Sequence, residues 1–295
     1  MENYGGNLMS TNNREQLESL QAQLEEMWTH LDTLFAKLNE TNGWGQKHGP
    51  DWTFADVPYH LAYCNRDVVT RGLQLGPDYP EAEQELLASP QALPEWNERK
   101  FSERPSGQTA AESVAQWRNS CDAIRRLTAS MNDADLGRPG WQPIFMGWAT
   151  AAHLLAFGLT HDWSEFTQLR IHMGLSEPTP SPAITRAYLG AMLNFFPMML
   201  NKEAANGEPF NERPFKAVMA FTDPEVGAWT IQVADGVATL NYGAAKDADL
   251  VMTQSSETFE KTFRGIHDPA EAIQSDQAQV NDFESLAKFG QLFPM

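Results

Sequence analysis

Cysteine is scarce in this chain: there are two in 295 residues, Cys64 and Cys121. Two thiols cannot build a disulfide framework, and each falls inside an apolar helical pattern, where a buried free thiol acting as a small hydrophobe is expected. Positive charge is also short. The 21 Lys and Arg stand against 39 Asp and Glu, a formal net charge of -18, and no basic run interrupts that balance. Such a chain repels phosphate backbones and anionic lipid surfaces, so nucleic acid is excluded as the expected partner. No uninterrupted apolar stretch reaches the roughly 18 residues of a membrane span. The start, MENYGGNLMSTNN, has neither the basic nor the apolar segment of a secretion signal. A reducing, cytoplasmic setting without membrane insertion is the expectation. Repeats and low-complexity tracts are lacking too. What is present is core material: 42% hydrophobic and 11% aromatic residues, with nine Trp and sixteen Phe, which rules out a mainly disordered chain. The length suits two domains.

After a leader over residues 1–11, Asn12-x-x-Glu15 forms a plausible capping box for a long helix. Leu17, Leu20, Leu24, Met27, Leu31, Leu34 and Leu38 follow in alternating steps of three and four, the narrow seam of a bundle helix. A second helix is expected to begin at Asp56 as cap, with Pro58 in its first turn, and to run through His60, Leu61, Cys64, Val68 and Val69 to about Gly72. Residues 76–108 read as a long connection with short helical patches. Thr109-x-x-Glu112 caps a third helix bearing Val114, Trp117, Cys121, Ile124, Leu127 and Met131. A fourth follows the break Gly137-Arg138-Pro139-Gly140, from about Thr150 to His172, and ends at Gly174. The expected fold class is thus multidomain: a four-helix bundle over 12–174, a Pro-rich linker over 175–182, and an α+β domain over 183–295. In the last, a helix over 183–203 precedes strands over 217–221, 228–233 and 237–242, the latter two joined by an Asp235-Gly236 hairpin turn, then a strand over 249–253 and helices over 256–263 and 283–293.

The fourth helix carries His153, His161, Glu165, Gln168 and His172. At 100° per residue, Glu165 lies about 40° from His161, and Gln168 and His172 each about 20° away, all on the face that holds Leu154 and Phe157. Histidine and carboxylate one turn apart can reach a single cation. Such pairs are common as surface pairs, but this one continues an apolar stripe. A third ligand must come from another helix, and His60 is the best placed.

The run Thr160-His161-Asp162-Trp163-Ser164-Glu165-Phe166-Thr167-Gln168-Leu169 resembles the last-helix motif of the DinB-like (YfiT-type) metal-binding four-helix bundles, in which two ligands stand four residues apart and Gln follows three later. Asp56-Val57-Pro58-Tyr59-His60-Leu61-Ala62 resembles that family's second-helix signature, whose His-Leu pair supplies the first ligand. The resemblance implies His60, His161 and Glu165 as the metal triad, with Glu where many members have a second His. Beyond the linker, Gly227–Gly236, Ala248-Asp249-Leu250-Val251-Met252-Thr253, Glu257-x-Phe259, Arg264-Gly265, Asp268-Pro269 and Leu286-x-x-Phe289-x-x-Leu292-Phe293 resemble the sterol-carrier-protein fold, which closes around an apolar cavity. This domain order is that of the mycothiol-dependent maleylpyruvate isomerases and related thiol S-transferases.

The resemblance implies a metal-dependent enzyme with a low-molecular-weight thiol as nucleophile on a small electrophilic substrate. Zinc is the first choice of ion, with nickel, iron and manganese open, and the chain is expected as a monomer or homodimer. A metal-dependent hydrolase on the same triad is an alternative, and so is an apolar-ligand or lipid-binding protein acting through the C-terminal domain. Gln168 is a candidate to orient water or a ligand carboxylate, against a role in satisfying backbone groups. Arg264 is a candidate anchor for a carboxylate, against a surface salt bridge. His153 is expected beside the pocket or in the core, and His30 next to the helix-one seam. His172 stands about 16 Å along the axis from His161, too far to share the ion. His48 and His267 read as loop residues, Cys64 as a small buried hydrophobe, and the Met- and Phe-rich stretch over 192–200 as core.

Overall fold

The computed structural model describes residues 13–48, 52–80, 93–132, 134–142, 147–205 and 214–292. Two compact units divide the chain, one of Ser10–Pro180 and one containing Ser181–Met295.

The first unit is a helical bundle. Helix α1 (Asn13–Glu40) buries its whole seam, Leu17 through Leu38, and faces α5 (Ala110–Ala129) and α6 (Ala151–His172). Asn12, its expected cap, lies outside the described residues. The Thr109/Glu112 capping box of α5 forms as its sequence predicts, and that helix buries Val114, Trp117, Cys121 and Ile124. Trp117 meets Phe35 of α1 edge to face at 5.1 Å. The second pass of the bundle is α2 (Val57–Tyr63), a π-helical segment Cys64–Thr70 and α3 (Arg71–Leu75). Asp56 flanks α2 without capping it. Its carboxylate instead accepts from the Thr53 amide and hydroxyl and pairs with Arg104. Gly158 lets α6 approach the π segment closely: a Cβ there would sit 3.2 Å from Val69.

Within the long connection a regular helix, α4 (Leu93–Ser102), buries Trp96 and Lys100. The break before the fourth helix is a short antiparallel hairpin, β1 (Pro139–Gln142) with β2 (Gly147–Thr150). From β2 the chain enters α6 through a Thr150/His153 capping box and leaves it at Gly174, whose φ of +65° is the left-handed geometry of a helix stop.

The second unit is α+β. Helix α7 (Pro182–Ala205) packs on β4 and β5 of a five-stranded mixed sheet of order β5-β4-β3-β6-β7. Its strands are β3 (Phe215–Phe221), β4 (Ala228–Ala234), β5 (Val237–Tyr242), β6 (Leu250–Gln254) and β7 (Ala278–Val280), with β3 and β6 parallel. Asp235 and Gly236, both at positive φ, make the tight β4–β5 turn. Helices α8 (Ser256–Phe263), α9 (Pro269–Gln274) and α10 (Phe283–Leu292) complete it. Met198 and Met199 have side chains outside the description, as does all of Phe293, but Ile184, Tyr188, Leu189, Leu193, Phe196 and Leu200 of α7 are core. No described helix is long and apolar enough to cross a membrane.

Candidate metal centre

All seven residues of α2 are buried, so its polar side chains must find partners inside the protein. His60 and Cys64 stand one turn apart where α-helix gives way to π-helix, an irregularity common at functional sites. Across from them α6 presents His161 and Glu165, again one turn apart. The ligand atoms of His60, Cys64 and His161 all lie within 4.8 Å of one another. His60 Nε2 and His161 Nε2 are 2.9 Å apart, and the Cys64 Sγ is 3.9 and 4.0 Å from the ring nitrogens of His60. Glu165 reaches in with Oε1 at 3.9 Å from His60 Nε2.

A hydrogen bond behind the His60 ring settles which of its nitrogens faces the cluster. Burial pushes the Tyr63 phenol far above its usual range, so it keeps its proton, which it donates to Asn97 Oδ1 at 2.8 Å. The Tyr63 oxygen must then accept from His60 Nδ1, 2.5 Å away. His60 is fixed as the Nδ1–H tautomer, with the Nε2 lone pair turned inward. On the other side Asp162, fully buried, accepts from Trp28 Nε1 at 2.8 Å through Oδ2 and sets Oδ1 3.7 Å from His161 Nδ1. Burial opposes a charge on His161, but the Cys64 sulfur and the Asp162 and Glu165 carboxylates outweigh it and hold its pKa well above the ordinary value. Burial pushes the Cys64 thiol up, with His161 pulling the other way.

These donors fit a transition-metal ion. Two imidazole nitrogens about 3 Å apart have the spacing of neighbouring ligands at metal–nitrogen bonds of about 2.0–2.1 Å, and a thiol and a carboxylate are apt further ligands. Trp52 covers the His60 ring at 4.7 Å and Phe157 stacks on His161 at 5.9 Å, so the donors sit against aromatic walls.

Of the three residues singled out in the sequence, His60 and His161 share one donor cluster, and Glu165 stands beside it, 3.9 Å from His60. Two others join them that sequence reasoning set aside. Cys64 lies among the donors rather than serving only as core filler; its place one turn after His60 was the available signal. His48 is a buried partner of Glu165 at 3.0 Å, brought in by a loop that no periodicity marks. His172 does not reach the ion site, yet its Nδ1 is 3.4 Å from His48 Nδ1. Gln168 is half-buried one turn beyond Glu165 on α6. His153 serves the α6 cap, and His30 packs against Phe166 at 5.5 Å. Arg264 belongs to the second unit, where its Nε is 3.1 Å from the fully buried Glu260, which also accepts from Tyr188.

Fold and donors define a DinB-like helical region with a candidate buried metal centre, followed by a mixed-sheet α+β unit. Residues 23–169 match the family model of the DinB superfamily. Among solved structures, the chain is similar to the mycothiol-dependent maleylpyruvate isomerase: 13% identity, TM-score 0.50, covering 92% of this chain and 96% of that one. A mutant of that isomerase with one histidine changed to alanine gives the same values. At this identity the likeness is one of fold. No curated protein sequence matches the chain.

Proposed function

We propose that the protein is a metal-dependent enzyme that uses a small thiol as nucleophile on a small electrophilic substrate, of isomerase or S-transferase type. The observation that carries this reading is the convergence of His60, Cys64 and His161 within 4.8 Å in a buried position, with Glu165 beside them. A bound divalent ion, zinc first, lowers the pKa of a coordinated thiol or water and so makes a nucleophile available near neutral pH. The chain's own residues prepare the place for it. Asn97 and Tyr63 hold His60 in the right tautomer, Asp162 backs His161, and Trp52 and Phe157 pack against the two imidazole rings. The same donors would serve a hydrolase. The thiol reading is favoured by the fold shared over most of both chains with an enzyme described as mycothiol-dependent. The likeness of the α+β unit to sterol carriers belongs to the same proposal.

The test is elemental analysis of the purified, untagged protein by inductively coupled plasma mass spectrometry, with His60→Ala alongside. About one equivalent of a transition metal in the native protein and its loss in the variant is the expected result. Thiols are then screened for addition to unsaturated acids. A native protein that takes up no metal even on reconstitution would overturn the reading.

A further inference from the structure

We propose that His48 is a positioning residue for the metal centre: it holds the Glu165 carboxylate in the orientation that turns its other oxygen, Oε1, toward the ligand cluster. The inference rests on the metal reading given above and adds a residue that lies on neither ligand-bearing helix.

The two oxygens of Glu165 are used differently. Oε2 is 3.0 Å from His48 Nε2, while Oε1 is 3.9 Å from His60 Nε2. A carboxylate that binds a metal ion does so ionised and can only accept, so in the metal-bound form the hydrogen of that bond sits on His48 Nε2. His48 Nδ1 lies 3.4 Å from His172 Nδ1, so both nitrogens of the His48 ring face a buried or half-buried partner. The ring has little freedom to leave this position. Its backbone amide donates to the Trp52 carbonyl at 3.0 Å, and the Phe54 amide donates to Gln46 at 2.9 Å, which ties the two sides of the loop together. Phe54, fully buried, and His172 contact the ring at centroid distances of 6.0 and 5.4 Å. His48 is itself 6% exposed and Glu165 5%. A buried donor fixed by its own loop, 117 positions away in sequence from the carboxylate it meets, is the arrangement that orients a ligand before the ion arrives.

The test is competition of Zn²⁺ between a chromophoric chelator and the full-length protein in five forms: native, His48→Ala, His48→Gln, Glu165→Ala and the His48→Ala/Glu165→Ala double variant. Loss of such an outer partner costs about 10- to 100-fold in metal affinity. His48→Ala is expected to weaken binding by that factor, and His48→Gln, whose amide keeps an N–H donor, to recover most of it. In the double variant His48→Ala should add nothing to the loss from Glu165→Ala, because the effect passes through the carboxylate. The visible spectrum of the Co²⁺-loaded His48→Ala protein should move in the same direction as that of Glu165→Ala. Far-ultraviolet circular dichroism confirms that each variant is folded, and the His48→Gln comparison stands even if the alanine variant is not. Equal affinity of native, alanine and glutamine forms overturns the role of His48, as does an undiminished His48→Ala loss in the Glu165→Ala background. Both results leave the metal reading intact, whereas a native protein that binds no Zn²⁺ overturns the metal reading itself.

Discussion

Cys64 carries the sharpest consequence at the scale of single residues. A thiol binds a metal ion as thiolate, and burial holds the Cys64 pKa above the usual value of 9.0. Its proton must therefore leave when the ion enters. Protons compete with the ion at every pH below that raised pKa, so affinity should rise with pH and fall as the solution is acidified. Each proton displaced adds about one unit to the slope of log affinity against pH. Zn²⁺ competition titrations between about pH 6 and 8 should give a slope at least about one unit steeper for the native protein than for Cys64→Ala, since the sulfur also helps hold the His161 proton that the ion displaces. Equal slopes would remove Cys64 from the ligand set. The residues of this site were unequally legible. His161 and Glu165 announce themselves because one helical turn puts them side by side on an apolar face, and His60 because it sits near a helix start in a recognisable signature. Cys64 has the same i,i+4 relation to His60, but a cysteine in an apolar helix reads equally well as core. His48 has no local signal, since it arrives through a loop closed by backbone hydrogen bonds to Trp52 and Gln46.

Elements declared themselves where termini and periodicity agree. The capping box of α5, the three-four seam of α1 and the Asp235-Gly236 turn are each short-range chemistry, and each is found in the structure. The β1–β2 hairpin is not readable in this way: four-residue strands containing Pro139, Gly140 and Gly147 have no alternation to show. Helix α4 is hidden for a different reason. Its apolar side, Leu93, Trp96 and Phe101, is interrupted by the buried Lys100, which is accommodated by Asp67 of the π segment 3.0 Å from its Nζ. Both side chains are nearly inaccessible, so removing one leaves the other only its more exposed partner, Glu103 for Lys100 and Arg66 for Asp67. Burial opposes ionisation of Asp67, but Arg66 and Lys100 overcome it and hold the carboxyl below the ordinary 3.8. A depressed folded-state pKa gives stability that is present above the unfolded value and lost as pH falls through the folded one. Asp67→Ala should therefore cost about 3–5 kcal/mol at neutral pH in urea unfolding. Glu103, 3.5 Å from Lys100, places the value toward the low end. The difference from the native protein should begin to shrink below about pH 4, where the unfolded chain's carboxyl gains its proton, and go on shrinking as pH falls through the lower folded value. A loss independent of pH would mean that packing, not the ion pair, fixes α4 against the π segment.

At the scale of the whole molecule the two units differ in what keeps their polar groups buried. The helical unit surrounds a donor cluster suited to an ion, whereas the α+β unit closes its own buried carboxylate, Glu260, with Tyr188 of α7 and Arg264 at the end of α8. That change in architecture was visible as a shift from three-four to alternating periodicity beyond the Pro-rich stretch over 176–182. The role of Arg264 was not, because a guanidinium next to a glycine looks the same whether it waits for a substrate or completes an ion pair. The arrangement favours the second role, and the two make opposite predictions. Arg264→Ala leaves Glu260 without its guanidinium, and because the arginine is 36% exposed the expected loss is modest, about 1–2 kcal/mol. Calorimetry of the full chain should show a lowered unfolding temperature for Arg264→Ala with metal content unchanged. Zn²⁺ at about 100 times its dissociation constant should add about 2.7 kcal/mol to the unit that binds it, in the native protein and the variant alike. A variant with native unfolding temperature but a raised KM for a carboxylate-bearing substrate would instead make Arg264 the anchor that its sequence position suggests.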